Sequence, residues 1–388
     1  MTLGTLGERL LAEATALSFP RYPGTEGDRR AIAHLVERFA AAGLEVETEP
    51  FTYDVAPAFR ALRGLLLSVA VLIALAGFLA VRSPGLALVP LAIGLAGGGF
   101  FLGWAPWLER LYARPGRTET ANVVARRRAA ERRLTLVLLA HHDSKSQNLT
   151  FPARMGLTLS ALGGGLALTA GLVAGLFDTT PSAAGTAATY GAIVAAAALV
   201  GLSTLKSGNR SPGGVDNAGS VAIVLELARR LPDRIPDDVE LIFLSPGAEE
   251  DHMVGAMRWL DAHQDELASA PAVALNLDGA GAPGRLVLLE RFGLGRAFAP
   301  RVAGIARSAA AKLGLPVRRV LLPPAMGIDA IPFFHRGIEC LTISSGSPGR
   351  AVWAVHSAKD VPENLDPVTL ELAYRLAEAT ALSTVRAG

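Results

Sequence analysis

The sequence predicts an α/β fold: a mostly parallel mixed sheet with helices on both faces, plus two inserted transmembrane helical hairpins. Three observations predict it. Apolar strand-like runs alternate with amphipathic helical patterns through most of the 388 residues. Four long segments contain no charged residue. Several apolar strands end in histidines and carboxylates, and sheets of this kind gather functional groups beyond the carboxyl ends of their strands.

Composition sets limits. Hydrophobic residues make up 51% of the chain and mean hydropathy is +0.35, above an ordinary soluble domain and in line with membrane segments. A net charge of +2 makes no electrostatic case for a nucleic-acid partner. The single cysteine, Cys340, excludes an intrachain disulfide and a Cys-rich zinc site, and fits a reducing compartment.

The first stretch, MTLGTLGERLLAEATALSF, reads as an amphipathic helix rather than a signal peptide. It lacks a basic leader, and Glu8 and Glu13 interrupt its apolar positions. A helix at GDRRAIAHLVERFAAAGL leads into a strand at EVETEPFTYDV. The uncharged segments then fall at 64–81, 86–104, 155–177 and 185–205, each near the ~20 residues that cross a bilayer. RSPG joins the first pair and DTTPSAAG the second, so each pair reads as a helical hairpin. Trp104 and Trp107 stand where an aromatic belt falls. The glycines at 163–165 and alanines at 195–198 suit close helix packing. Arg60, Arg63, Arg110, Arg114, Arg117, Arg154, Lys206 and Arg210 flank the hairpin bases, whereas the far turns hold only Arg82 and Asp178. The positive-inside rule therefore puts the polar part in the cytoplasm. The expected organisation is one polar domain made of residues 1–62, 106–154 and 206–388, with hairpins at 63–105 and 155–205.

Within the polar domain, strands are expected at ANVVARR, LTLVLLA, VELIFLS, AVALNLD, VRRVLL and IECLTISS. Helices are expected at SVAIVLELARRL, MVGAMRWLDAH, RVAGIARSAAAKLG and PVTLELAYRLAEATAL. The basic cluster RRRAAERR, from Arg126, reads as a solvated hairpin turn between strands.

The chemistry-bearing residues sit at the junctions. His141, His142 and Asp143 follow one strand. Asp216 and Asn217 open a helix. Glu249 and Glu250 follow a second strand, Asp278 a third, and His356 lies near the C-terminus. Each has a plain structural reading alone: a satisfied loop histidine, a helix N-cap, a solvated acidic turn, an Asx turn. Together they are histidines and crowded carboxylates at converging strand ends. Crowded carboxylates repel unless protons or cations neutralise them, and zinc takes His nitrogen and carboxylate oxygen.

These residues resemble the clan MH di-zinc exopeptidases, a family that includes secreted bacterial leucyl aminopeptidases, glutamate carboxypeptidases and, more distantly, glutaminyl cyclase. The likeness is carried by His141-His142-Asp143-Ser144, Asp216-Asn217 before a helix, Glu249-Glu250 with Gly255 following, Asp278, GIDAIPFFHRGIEC, and His356-Ser357 with Asp360. The resemblance implies two Zn2+ ions, or another divalent metal in their place. Asp216 would bridge them, His141 and Asp278 completing one site and Glu250 and His356 the other. It makes Glu249 the general base, sets Asp143 behind His141, and assigns Asp329 to substrate handling. The implied activity is that of a membrane-anchored zinc exopeptidase, an aminopeptidase acting on short or membrane-associated peptides. Peptide and lipid bilayer are then the expected partners.

The pattern departs from the family in places. Val355 stands where an aromatic residue often precedes the last histidine, and His252, expected at the surface, replaces a common glycine. Two other functions remain: a glutaminyl-cyclase-like single-zinc aminoacyltransferase, whose branch has counterparts of Ser144-Lys145, and a catalytically inactive membrane scaffold. Asn217 after Asp216 is the two-metal peptidase pattern, where cyclases carry serine. The complete set of apparent ligands argues against the scaffold. The second hairpin enters between His141 and Asp216, so it must leave and return close to the site.

Overall fold

The computed structural model describes residues 3–102, 110–177, 183–293, 295–323 and 326–387. Trp104, Trp107 and Asp178, read above as flanks of membrane segments, lie outside the described residues. The chain forms two compact units. One is Met1–Asp54 with Tyr112–Ser146 and Gly208–Gly388; the other is Val55–Leu111 with Gln147–Ser207.

The first unit is built on one sheet. Its strands are β1 (Glu45–Tyr53), β2 (Thr118–Arg127), β3 (Leu134–Leu139), β6 (Val239–Ser245), β7 (Ala272–Leu277), β8 (Leu286–Phe292), β9 (Arg296–Ala297), β10 (Val317–Leu321) and β11 (Glu339–Ser345), while the two-residue β4 (Ser146–Gln147) and β5 (Ser207–Gly208) mark where the chain leaves and returns. The sheet order is β1-β2-β6-β3-β7-β11-β8-β10, with β9 on β8. Its centre, β6-β3-β7-β11, is parallel. β2 and β8 join it antiparallel, and β1 in turn pairs antiparallel with β2. β3 (LTLVLL) and β6 (VELIFLS) are buried along their whole lengths, as strands covered on both faces must be. Helices Leu3–Leu17, Gly219–Arg230, Pro300–Lys312 and Pro367–Ala387 pack with one another, and Val254–Ala262 packs with Ala330–His335.

Two expectations change. β2 and β3 do not form a hairpin, because β6 lies between them. The connection that carries the basic cluster is therefore no hairpin turn, and although Arg128 and Glu131 are exposed as expected, its first residue is not. Arg126 lies inside β2, buried, on Glu240 at 3.1 Å and Glu266 at 2.6 Å, and Arg132 shares both acids. Pairing compensates for the water that Arg126 loses. β8 is a strand the sequence reading does not contain. Its inward acid Glu290 obscures the alternation, and Arg307 and Arg319 neutralise it at 2.7 and 2.9 Å.

The second unit is helical: Ala56–Ala80, Pro84–Leu102, Phe151–Gly175 and Ala183–Ser203. Among the described residues, Ala56–Ala80, Phe151–Gly175 and Ala183–Ser203 are long and apolar enough to cross a membrane. The first and third helices begin well before the uncharged runs, at Pro57 and Pro152 in their first turns, where proline's missing N–H costs nothing. They take Arg60, Arg63 and Arg154 into the helices. The unit is small inside and large outside. Ala76, Ala80, Ala188, Ala192 and Ala195 are buried with Leu168 and Leu172. Phe78, Val89, Ile93, Leu166 and Phe177 are exposed.

Candidate metal centre

The central strands deliver the site. Past the end of β3, Ala140 leads to His141, and neighbouring side chains on an extended chain point opposite ways. His141 is buried, its Nδ1 3.4 Å from Asp143 and its Nε2 3.2 Å from Asp216, 3.8 Å from Glu249 and 3.9 Å from Asp278. Its neighbour His142 faces elsewhere, 3.5 Å from Asp28 and 3.3 Å from the Ser245 hydroxyl.

Asp216 is set by its backbone. The amides of Val215 and Asp216 donate to the Asp360 carboxylate at 2.8 and 3.2 Å, and the Asp216–Asn217 peptide is cis. Asn217 donates to the Leu277 carbonyl and accepts from the Gly279 amide, both at 3.1 Å. That ties the Asp216 loop to the end of β7, where Asp278 stands. Beyond β6, the amides of Glu249 and Glu250 donate to Asp143 at 3.1 and 3.0 Å. His356 closes the set, its Nε2 3.1 Å from Asp216 and 3.0 Å from Glu250.

The result is two groups that share one carboxylate: His141, Asp216 and Asp278, and Asp216, Glu250 and His356. In each, one ligand atom per residue lies within 4.8 Å of the others. Asp143 adjoins both, through His141 and through the two glutamate amides. Gly255, downstream, is a packing residue: a Cβ there would lie 2.1 Å from the Gly247 carbonyl oxygen.

The charges are crowded. Burial pushes Glu249 well above the usual carboxylate range against the pull of His141, and Asp329, Asp278 and Glu250 add to it. Burial likewise pushes Asp278 up to about 7, with Asp216 and Glu250 contributing against His141. Burial acts against ionisation of Asp216 too, but His141 and His356 hold it well below its ordinary value. Neither ring nitrogen of His141 has a well-aligned hydrogen-bond partner among the described residues. Imidazole nitrogens without a bond, facing carboxylates too close to ionise together, fit a divalent cation such as zinc.

Asp329 is buried, and neither of its oxygens has a hydrogen-bond partner among the described residues. Burial raises it to about 8, against His141, with Asp278 and Asp143 adding. His252 is not a surface residue: its ring stacks on Tyr112 with centroids 4.0 Å apart. Other residues at the site were not visible in the sequence. Arg21, buried, donates to the carbonyls of His142, Leu17, Phe19, Pro212 and Gly213, clamping the loops that lead to His141 and Asp216. Asp251 accepts from Tyr22 and Tyr53. Their targets are main-chain atoms or residues distant in sequence, for which spacing carries no signal.

Fold and site together define an α/β protein with a candidate centre for two divalent metals at its strand ends. The sequence profile of peptidase family M28 matches residues 122–381 of the 388, and the chain belongs to that family. The aminopeptidase YwaD of Bacillus subtilis (strain 168) is 27% identical over 179 residues, which span 45% of this chain and 38% of that protein's length. Among solved structures, an aminopeptidase from Aneurinibacillus sp. strain AM-1 superposes with a TM-score of 0.58 at 13% identity, covering 96% of this chain and 92% of the other. A glutaminyl cyclase from Fimbriiglobus ruber superposes with a TM-score of 0.57 at 13% identity, covering 99% and 97%. At such identities these two structures speak for the fold.

Proposed function

We propose that the protein is a membrane-anchored zinc metallopeptidase, an aminopeptidase that removes the terminal residue of peptides. The observation that carries the reading is the pair of ligand groups sharing Asp216. Asp216 would hold both ions, with His141 and Asp278 on one and Glu250 and His356 on the other. Bound there, the ions supply Lewis acidity, which lowers the pKa of water and stabilises developing negative charge on a carbonyl oxygen.

The chain's own groups do the rest. Glu249 takes a proton from the attacking water and passes it to the leaving amine. Its position, 3.8 Å from His141 and held by its amide on Asp143, suits that task. Asp143 orients His141 from behind. Asp360 fixes the backbone of Asp216, and Asn217 keeps Asp278 facing it. Asp329 contributes to the polar wall of the site.

Anchoring is part of the proposal. What supports it is a helical unit with alanine and glycine inside and large apolar side chains outside, including three helices of membrane-crossing length and hydropathy. Outward apolar surface of this kind needs lipid or a partner to cover it. The first unit would stand on the cytoplasmic side.

The test is metal analysis of the purified full-length chain together with aminoacyl p-nitroanilide hydrolysis. Two zinc ions per chain are expected, and Glu249→Gln should cut turnover by about a hundredfold or more while keeping the metal. Turnover at the wild-type rate in Glu249→Gln would remove Glu249 as base. One ion per chain, with ammonia released from an N-terminal glutaminyl peptide, would favour the cyclase instead.

A further inference from the structure

The first helical insertion joins the sheet unit after Asp54 and before Tyr112. The residues at both joints bear on the same turn, 249–252. Tyr53 is fully buried, and its hydroxyl donates to Asp251 at 2.7 Å. Tyr112, on the returning side, stacks on His252. The stems are also held together: the Asp54 amide donates to the Arg114 carbonyl at 3.0 Å, and a Cβ on Gly116 would lie 2.5 Å from the Tyr53 carbonyl oxygen. Lys145, just before the second insertion leaves, donates its amide to the Glu250 carboxylate at 3.0 Å and its ammonium to the Glu250 carbonyl at 2.6 Å.

This turn needs to be held. Ala248, His252 and Met253 have φ of 57°, 73° and 61°, a region that non-glycine residues occupy only when their surroundings impose it. Besides Asp143 and Tyr22, groups that hold it sit at the stems of the insertions.

We propose that Tyr53 and Tyr112 are positioning residues for Glu249 and Glu250. The base and one ligand then keep their alignment only while the stems of the first insertion are gripped. The inference rests on the reading of Glu249 as base and Glu250 as ligand. Tyr53 acts through Asp251, whose carboxylate also takes the Tyr22 hydroxyl at 2.9 Å. Tyr112 acts through the face of the His252 ring.

The experiment uses the full chain in lipid nanodiscs, with Tyr53→Phe, Tyr112→Leu and Tyr112→Phe beside Glu249→Gln. Four quantities are read: kcat and KM on an aminoacyl p-nitroanilide, zinc affinity by competition with a chelating dye, and amide hydrogen exchange over residues 248–254. Tyr53→Phe and Tyr112→Leu should lower kcat by about tenfold or more, since small misplacements are costly in catalysis. KM should stay within about twofold. Zinc should bind more weakly and the turn exchange faster. Tyr112→Phe keeps the stacked ring and should match wild type.

Wild-type kcat and zinc affinity in both Tyr53→Phe and Tyr112→Leu would overturn the proposal. So would a loss confined to the folded fraction, with kcat per folded molecule unchanged. Wild-type turnover in Glu249→Gln would instead defeat the assignment of the base, and zinc affinity and exchange would still decide whether the tyrosines position the turn.

Discussion

His263 is held between acids from different elements, its Nε2 2.8 Å from Glu49 in β1 and its Nδ1 2.8 Å from Glu266. The hydrogen bond it donates to Glu49 raises its pKa above the ordinary 6.5, burial opposing and Glu266 adding. A group that binds its proton more tightly when folded stabilises the fold fully below its unfolded pKa. That contribution fades as pH rises through the folded value. His263→Gln should therefore lower Tm by about 2 °C near pH 6, a modest effect because the site is partly exposed. The gap should close as pH is raised well past the ordinary histidine range; thermal melts in which it stays constant on the alkaline side would contradict the assignment. Histidine and carboxylate side chains are the kind of residue a sequence discloses. His141, Glu249 and Asp278 stand out because strands that apolar seldom end in such groups. Arg21 does not, because it acts on main-chain carbonyls, and no residue type records where a backbone atom will lie.

Among elements, the apolar helices pose a packing problem that the sheet does not. Lipid tails are as apolar as leucine, so helix contacts in a bilayer rest on close approach rather than on hydrophobic burial. Gly171 provides such an approach: a Cβ there would lie 2.6 Å from the Ala184 carbonyl oxygen and 2.8 Å from the Ala188 nitrogen. Gly163, on the same helix, has nothing within 4 Å of a Cβ. Gly171→Leu should force Phe151–Gly175 away from Ala183–Ser203 and destabilise the unit by about 1–3 kcal/mol. Gly163→Leu should be tolerated. Equal melting temperatures for the two variants in detergent would refute this packing. Hydropathy finds such helices from their lack of charge, yet not where they begin. Ala56–Ala80 contains Arg60 and Arg63, because a polar second turn is still helical. β8 escaped for the related reason that its inward Glu290 carries its own cations, and the burial of Arg126 depends on partners in β6 and near residue 266.

At the scale of the whole molecule, the sheet unit is assembled from three stretches of chain separated by the two insertions. A single folded unit cannot lie on both faces of a bilayer, so each insertion has to cross an even number of times or not at all. In the first insertion Ala56–Ala80 is of full crossing length, and a second helix, Pro84–Leu102, follows it directly. If the first crosses, the second must return. The turn between them, around Ser83, then faces the side opposite the sheet unit. The chain supplies a clean background for testing this. Its lone cysteine, Cys340, is buried in β11, and burial pushes its thiol well above the ordinary range, so it is silent to thiol reagents in the folded protein. Ser83 and Glu131 are both exposed. If, as proposed, the arginine-rich flanks lie in the cytoplasm, an impermeant maleimide applied to intact cells should label Ser83→Cys. Glu131→Cys should react only after the membrane is opened. Labelling of Glu131→Cys alone from outside would reverse the orientation, and labelling of both positions from one side would mean that the first insertion does not cross.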